Sequence, residues 1–327
     1  MLNVAVLDDY QDVALQMTDW SALPSTARLR IFNDHLASDD ALVQRLQGVH
    51  VISAMRERTP FPRRLLERLP DLRLLVTTGP RNASIDVDAA TELGIVVSGT
   101  GSVSQPTAEL TWGLILALLR HIPQEDALTR RGRWETTLGI GLYGKTLGVL
   151  GLGNLGGQVA TVGRAFGMTV VAWSHNLTQP AAAGLGAQLV TKEQLLSQSD
   201  IVTIHLRLSD RTHGLVGPTE LALMKPTAYL VNTSRGPIVD EQALIDCLRH
   251  GRIAGAALDV FDQEPLPLDH PLLQMENTVL TPHLGYVTLE TYHVFFRDIV
   301  EDITSFLEGH PVRVINQQVL PTARGAP

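Results

Sequence analysis

The sequence predicts an α/β protein with two parallel sheets, and three observations support this prediction. Short apolar runs that fit buried strands alternate with helical segments along most of the 327 residues, which is the pattern of βαβ units. The alternation forms two blocks separated by a long apolar helix and a polar connection, and a chain of this length suits two domains. A glycine-rich turn follows the first strand of the second block. Together these features favour a doubly wound parallel sheet that binds a dinucleotide, plus a smaller α/β domain.

The first block predicts the smaller parallel sheet. Its apolar runs, interpreted as strands, cover residues 4–7, 29–32, 49–53, 72–77 and 95–97. Helices are expected between them, for example at 40–46 and 62–69. The apolar helix that follows this block, residues 109–120, fits two roles: a symmetric contact in a homodimer, or a buried helix between domains.

The second block predicts the larger, Rossmann-type sheet. Six strands are expected at residues 146–150, 169–173, 201–204, 228–231, 254–258 and 278–280, with a helix at 240–249. Strands and helices in this alternation match the doubly wound dinucleotide-binding fold. A last helix, residues 289–307, carries apolar residues at helical spacing.

The turn after residues 146–150 has the spacing G-x-G-x-x-G. Gly151 permits the tight turn, Gly153 lets the backbone approach a pyrophosphate, and Gly156 allows close contact between helix and strand. A helix is expected at residues 157–166, and its N-terminus would face the phosphates. A glycine-rich turn without a ligand is the alternative, but the flanking strand and helix favour a dinucleotide site.

Charge and cysteine content narrow the classes of function. The 26 Lys and Arg residues against 34 Asp and Glu leave a net charge of −8, which argues against a broad nucleic-acid surface. Cys247 is the only cysteine, which excludes an internal disulfide and fits a reducing compartment. The first residues lack a secretory signal pattern, and no apolar run is long enough to span a membrane. We therefore expect a cytoplasmic protein with no membrane partner and no metal site.

Three polar side chains follow three strands of the second block, where open α/β sheets bind their ligands. Arg235, Glu264 and His283 come after the strands at 228–231, 254–258 and 278–280. An arginine can hold a carboxylate with two parallel hydrogen bonds, and a histidine can donate a proton as a hydride arrives. Glu264 would fix the tautomer of His283 and favour its protonated form. Each residue alone fits a surface or structural role, but the three together favour hydride transfer to a 2-oxo acid.

With these residues in place, the chain resembles the D-isomer-specific 2-hydroxyacid dehydrogenases, which include glyoxylate/hydroxypyruvate reductases and phosphoglycerate dehydrogenases. The matching runs are residues 79–86, 144–148 with the glycine turn, 232–240, 257–265 and 281–285. The resemblance implies that Arg235, Glu264 and His283 are the catalytic residues. It also implies cofactor contacts at the pyrophosphate from Asn154 and Leu155, at the nicotinamide from Thr233 and Asp259, and elsewhere from Leu206 and Gly285.

The resemblance also implies how the domains are built. Both ends of the chain, residues 1–100 and 288–327, would form a smaller flavodoxin-like substrate domain. Residues 101–287 would form the dinucleotide-binding domain.

One departure from the family pattern concerns the substrate carboxylate. In many relatives a backbone N–H just after the glycine equivalent to Gly79 helps to hold this group, but Pro80 has no N–H. Carboxylate binding is then expected to depend on Arg235, with Arg81 or Asn82 as helpers.

Arg56 lies where the sequence resembles the substrate contact of phosphoglycerate dehydrogenases. A larger or second anionic group on the substrate is one expectation, and an exposed loop arginine without a ligand is the other.

A second departure concerns the cofactor. NAD-specific relatives usually place an acidic residue at the end of the strand at 169–173 to bind the ribose hydroxyls, and this chain has Ser174, His175 and Asn176 there. Arg207 stands where relatives commonly have proline. A missing acid and a nearby cation favour NAD(P)H with a preference for NADPH, while binding of the NADH ribose by Ser174 and Asn176 is the alternative.

The sequence thus predicts an NAD(P)-dependent D-2-hydroxyacid dehydrogenase that acts as a reductase of a small 2-oxo acid, in the form of a homodimer. A dinucleotide-sensing binding protein, like the corepressors that share this fold, is the alternative. Such a protein needs a peptide-docking surface, and nothing in the sequence indicates one.

Overall fold

The computed structural model describes residues 1–325, and all counts of elements below refer to that range. The strands are β1 (Leu2–Val6), β2 (Ala27–Ile31), β3 (Val51–Ala54), β4 (Leu74–Thr77), β5 (Val96–Gly99), β6 (Thr146–Leu150), β7 (Thr169–Trp173), β8 (Gln188–Leu189), β9 (Ile201–Ile204), β10 (Tyr229–Asn232), β11 (Gly255–Leu258) and β12 (Thr278–Leu280). The helices are α1 (Ala14–Met17), α2 (Asp39–Leu46), α3 (Arg63–Leu66), α4 (Val87–Glu92), α5 (Gln105–Leu119), α6 (Ile122–Thr129), α7 (Asn154–Ala165), α8 (Gln179–Gly184), α9 (Lys192–Gln198), α10 (Pro218–Leu223), α11 (Glu241–Arg249) and α12 (Leu289–Leu307). Short 3-10 helices lie at Trp20–Ala22, Gly236–Ile238, Pro271–Gln274 and Gln317–Val319.

The chain divides into two compact units. Met1–Val103 and Thr288–Pro327 form one, here called the terminal unit, and Ser104–Val287 form the other, the central unit. The domain range expected from the sequence runs to residue 327, and its last two residues, Ala326 and Pro327, lie outside the described residues.

The terminal unit is built on a five-stranded sheet with the order β2-β1-β3-β4-β5. All its strand pairs are parallel, and this order is that of flavodoxin-like folds. β3, β4 and β5 are buried along their whole length, as parallel strands covered on both faces are. The C-terminal segment is attached to β5, because the Val97 N–H donates to the Asn316 side-chain oxygen at 2.8 Å.

The central unit is built on a seven-stranded parallel sheet with the order β12-β11-β10-β9-β6-β7-β8. Its strand order is that of the doubly wound dinucleotide fold with one strand added at the edge. β6 lies between β9 and β7, so the chain reverses its direction across the sheet at β6, which is the position where such sheets bind ligands. The two sheets confirm the fold class that the sequence predicts.

Two local differences from the sequence-based expectation concern this sheet. The strand β8 was not expected, because it has only two residues, one of them the polar Gln188. Helix α7 begins at Asn154, three residues before the expected start. Two glycines in the first turn, Gly156 and Gly157, argue against a helix from propensity alone, but the close approach of Gly156 to Gly151 stabilises it.

Candidate active site

The loops that follow β6, β9, β10, β11 and β12 lie at the carboxyl edge of the central sheet. This edge is where an open α/β sheet forms its ligand crevice. The loop after β10 carries Arg235, the loop after β11 carries Glu264, and the loop after β12 carries His283.

Glu264 and His283 are in direct contact. Nδ1 of the imidazole lies 2.6 Å from Oε2 of the carboxylate. The other carboxylate oxygen accepts the backbone N–H of Phe261 at 3.0 Å, which fixes the orientation of Glu264. Because Nδ1 is engaged, Nε2 is the ring nitrogen left to exchange a proton with a ligand.

The loop of His283 is held by a buried carboxylate. Asp259 is fully buried and accepts hydrogen bonds from the Thr281 hydroxyl at 2.6 Å, the Leu284 N–H at 2.7 Å and the Gly285 N–H at 2.9 Å. Burial raises the pKa of Asp259, and the hydrogen bond from Thr281 opposes this rise. His283 has a φ of +56°, a left-handed conformation that is uncommon for a side-chain-bearing residue. Asp259 thus stabilises the loop on both sides of a strained histidine.

The family resemblance assigns Asp259 and Gly285 to the cofactor, and this assignment stays a prediction. The carboxylate of Asp259 organises the histidine loop. The carbonyl of Gly285 accepts the Thr107 hydroxyl at 2.9 Å, so its N–H and C=O are both used inside the unit.

The loop of Arg235 is shaped by Asn232, which the sequence analysis did not single out. The Asn232 side chain accepts the Ser234 N–H at 3.0 Å and donates to the Arg235 carbonyl at 2.9 Å. The Ser234 hydroxyl donates to the Ile204 carbonyl at 2.7 Å, which attaches this loop to the neighbouring strand β9. The Arg235 guanidinium itself donates to the Ser234 carbonyl at 2.7 Å.

The arginine and glutamate loops touch at Gly236. A Cβ atom at this position would overlap the carbonyl group of Phe261 and lie 2.6 Å from the backbone nitrogen of Asp262. Glycine is therefore required here by close approach rather than by a special φ. In the sequence, this requirement is visible only as a glycine directly after Arg235.

The glycine turn after β6 forms a cradle that only small residues allow. Gly151 has a φ of +99°, and a Cβ there would lie 2.6 Å from the His205 carbonyl oxygen. A Cβ at Gly156 would overlap the Gly151 carbonyl, whereas a Cβ at Gly153 would meet no atom within 4 Å. The side of Gly153 is thus open, and α7 begins directly after it at Asn154. The first-turn N–H groups of a helix have no partner inside the helix, so this cradle fits a pyrophosphate.

The three residues that follow β7 are polar, and none of them is acidic. Ser174 is half-buried, and His175 and Asn176 are exposed. After β9, Leu206 is half-buried and Arg207 is exposed. Thr233, after β10, is buried, with its hydroxyl 2.9 Å from the hydroxyl of Thr111.

His205 is a further residue at this edge that the sequence analysis did not single out. Its Nε2 lies 2.9 Å from the Thr203 hydroxyl, and within residues 1–325 its Nδ1 is buried without a hydrogen-bond partner. Burial lowers the pKa of His205 to about 4. The imidazole of His205 is therefore neutral near pH 7.

In the terminal unit, the candidate substrate residues follow β3 and β4. Arg56 has a φ of +50°, and its guanidinium donates to the Thr78 carbonyl at 3.2 Å. Gly79 has a φ of +84°, and a Cβ there would overlap the Arg56 guanidinium. Arg81 is exposed. Asn82 is buried, and its amide donates to the Arg56 carbonyl at 2.5 Å and to the Thr77 hydroxyl at 2.9 Å.

Asn82 therefore differs from the sequence-based expectation of a carboxylate helper. Both N–H donors of its side chain are already used within the unit. Its role in the structure is to hold the backbone at Arg56.

Within residues 1–325, no group of three or more His, Cys, Asp and Glu side chains could hold a metal ion. In the same range, no helix has the length and apolar character needed to cross a membrane.

Comparison with known proteins gives consistent matches. A family model described as D-isomer specific 2-hydroxyacid dehydrogenase, NAD binding domain, matches residues 112–285, more than half of the chain. A glyoxylate reductase of Aeropyrum pernix is 43% identical over 267 residues, which are 78% of this chain and 80% of that protein. A D-3-phosphoglycerate dehydrogenase of Methanocaldococcus jannaschii is 38% identical over 86% of this chain, which spans 54% of that longer protein. The crystal structure of a phosphoglycerate oxidoreductase from Vibrio cholerae has a TM-score of 0.90 and 35% identity, and the match covers 94% of this chain and 99% of that one.

The fold and these matches define the class as a nicotinamide-dependent oxidoreductase that transfers a hydride between its cofactor and a small 2-oxo or 2-hydroxy acid. More narrowly, the chain belongs to the D-isomer-specific 2-hydroxyacid dehydrogenase family. The resemblance predicted from the sequence is confirmed. The matches give no support to the dinucleotide-sensing binding protein considered as the alternative.

Proposed function

We propose that the protein is an NADPH-preferring reductase of a small 2-oxo acid, with Arg235, Glu264 and His283 as its catalytic residues. The observation that carries this proposal is the contact of 2.6 Å between His283 and Glu264. It leaves one ring nitrogen for the substrate and places a carboxylate where it stabilises the protonated ring.

Each catalytic residue has one task in this proposal. Arg235 binds the substrate carboxylate through its planar guanidinium. His283 donates the proton on Nε2 to the carbonyl oxygen of the substrate, and in the reverse direction it accepts that proton. Glu264 holds Nδ1 and keeps the imidazole in the required tautomer. The nicotinamide, when bound, supplies or accepts the hydride.

The cofactor is proposed to bind along the carboxyl edge of the central sheet. The cradle at Gly151, Gly153 and Gly156 supports a pyrophosphate held by the N–H groups of Asn154 and Leu155. The remaining proposed contacts, from the ribose toward the nicotinamide, are Ser174, His175, Asn176, Leu206, Arg207 and Thr233, with Asp259 and Gly285 shaping the loop beside them.

The preference for NADPH is supported by the residues after β7. An acid there would accept both ribose hydroxyls and repel a 2′-phosphate, and this chain has Ser174 instead. Arg207 is exposed and is the proposed positive partner of the phosphate.

We propose the terminal unit as the substrate domain. Arg56 and Arg81 are its proposed contacts for anionic groups of the substrate, and Gly79 leaves the space that the Arg56 guanidinium occupies. Asn82 is proposed to position the Arg56 backbone rather than to bind substrate.

We also propose a homodimer formed through the central unit. The apolar side chains of α5 are mostly buried in the core of their own unit, so this helix alone offers little apolar surface. The segment after it carries large exposed apolar side chains, with Trp134 at 77%, Leu138 at 92% and Tyr143 at 88% exposure. A second copy that covers them gives a mass near twice 35.6 kDa in solution. A monomer mass would refute the dimer.

A cytoplasmic location is proposed on the single cysteine, Cys247, which is buried and free. Fractionation of cells that make the protein tests this point, and recovery with the membranes or outside the cell would contradict it.

The proposed activity is tested by following NADPH and NADH oxidation with a panel of 2-oxo acids. Turnover with at least one small 2-oxo acid, and formation of the D-hydroxy product, is the expected result. Cofactor binding without turnover of any panel member would contradict the proposal.

A further inference from the structure

We propose that Glu241 is a positioning residue for the reaction, because its carboxylate contacts the loop that carries Glu264 both before and after that residue. The proposal rests on the function proposed above for Glu264 and His283. Residues 259–270, between β11 and the 3-10 helix Pro271–Gln274, contain no helix or strand. A side chain on such a loop is placed accurately only if other parts of the fold anchor the loop.

The anchoring contacts come from the first residue of α11. Oε2 of Glu241 accepts the backbone N–H of Asp262 at 3.3 Å, and Oε1 lies 3.1 Å from Nε2 of His270. The carboxylate is not needed to cap the helix, since the side chain of Asp240 does this. Asp262 precedes Glu264 in the loop and His270 follows it, so a single carboxylate closes the loop around Glu264.

In the hydrogen bond between Glu241 and His270, the donor and the acceptor can be assigned. The backbone N–H of Leu272 donates to Nδ1 of His270 at 3.4 Å, so Nδ1 is an acceptor and Nε2 carries the proton. The imidazole therefore donates to Glu241. The side chains of His270 and Glu241 are only 14% and 20% exposed, which shields this charge-assisted hydrogen bond from water.

The anchor is connected to the catalytic pair through the loop backbone. Glu241 holds the N–H of Asp262, and the N–H of the preceding residue, Phe261, donates to Glu264 at 3.0 Å. The other oxygen of Glu264 contacts His283 at 2.6 Å. A displacement of about 1 Å in such a chain costs up to roughly a hundredfold in rate.

The charge of Glu241 has neighbours that the test must take into account. Burial and the charge of Glu241 raise the pKa of Asp262, Asp240 adds to this effect, and His213 and His270 oppose it. Two variants of Glu241 distinguish the effect of its charge from the effect of its hydrogen bonds. Glu241→Gln removes the charge but keeps one acceptor oxygen, whereas Glu241→Ala removes both acceptors.

The experiment is a double-mutant cycle on the reduction of a 2-oxo acid, with Glu241→Ala, Glu264→Gln and the double variant. Glu241→Ala should lower kcat by about tenfold or more, with the Kd for NADPH unchanged. In the Glu264→Gln background the same change should have less than about a twofold effect, because the carboxylate that Glu241 helps to place is already gone. Glu241→Gln should retain more activity than Glu241→Ala. Asp246→Asn, a charge change on the same helix, is the matched control.

Three results would overturn the proposal: wild-type kcat in Glu241→Ala, an equal loss in both backgrounds, or equal activity of the Gln and Ala variants. If Glu264→Gln retains full activity, the proposed role of Glu264 fails together with this inference. An impaired Glu264→Gln beside an unimpaired Glu241→Ala refutes only the positioning role. If Glu241→Ala does not fold, Glu241→Gln takes its place in the cycle, with the same non-additive loss expected.

Discussion

Replacing Glu264 by Gln should lower kcat/KM for 2-oxo acid reduction by about tenfold. The carboxylate lies 2.6 Å from Nδ1 of His283, and a hydrogen bond to a charged group contributes about 1.5–3 kcal/mol. The side chains of His283 and Glu264 are 18% and 34% exposed. Screening by water therefore favours the lower end of that range, about 1.5 kcal/mol. This free energy corresponds to a loss of about tenfold in kcat/KM.

The reason lies in the contact with the ring. The carboxylate of Glu264 orients Nδ1 of His283 and offsets positive charge on the imidazole, and the neutral amide of glutamine cannot offset that charge. The assay is kcat/KM for the wild type and the variant, with Glu193→Gln, an exposed acid on α9, as the control. Equal kcat/KM for the wild type and Glu264→Gln would refute the reasoning.

Three further predictions test other parts of the molecule. Arg235→Lys should lower kcat/KM by about a hundredfold while NADPH affinity stays nearly constant, because lysine keeps the charge but loses the bidentate contact of about 3 kcal/mol; an equal loss of cofactor binding would indicate a structural role. Ser174→Asp should move the preference toward NADH, as measured by kcat/KM for both cofactors, and a wild-type preference for NADH of about tenfold, or 1.4 kcal/mol, would sink the NADPH proposal. Burial raises the pKa of Asp302 on α12 to about 8, so its contribution to stability is present at low pH and is lost as the pH rises through that value. Asp302→Asn should therefore gain stability relative to the wild type as the pH rises from about 4 to about 8 in urea unfolding, and a constant difference would contradict this.

The architecture could be predicted from the sequence because parallel strands buried on both faces produce apolar runs that are visible locally. β6, with residues Thr146–Leu150, lies where the sequence predicts it. β8 could not be predicted, because a strand of only two residues shows no periodic pattern of apolar side chains. The sequence predicts a later start for α7, because glycine is a poor helix former. The contact of Gly156 with Gly151, which favours the helix, is a tertiary contact that local sequence does not show.

The candidate site was predictable only in part. The rule that ligands bind at strand ends singled out Arg235, Glu264 and His283 without any structure. The parts played by Asp259 and Asn82 depend on which N–H groups surround each side chain, and the sequence does not encode those neighbours locally. The cofactor role of Asp259 stays a prediction, and both side-chain N–H donors of Asn82 are used to hold its own loop.

The close approach at Gly236 has a consequence for how such an enzyme can change. The backbone around Gly236 and the backbone of Phe261 are in contact, with no room for even a methyl group. A larger residue at position 236 would push apart the backbones of the loops that carry Arg235 and Glu264. The spacing between the guanidinium loop and the carboxylate loop is thus set by the absence of one side chain.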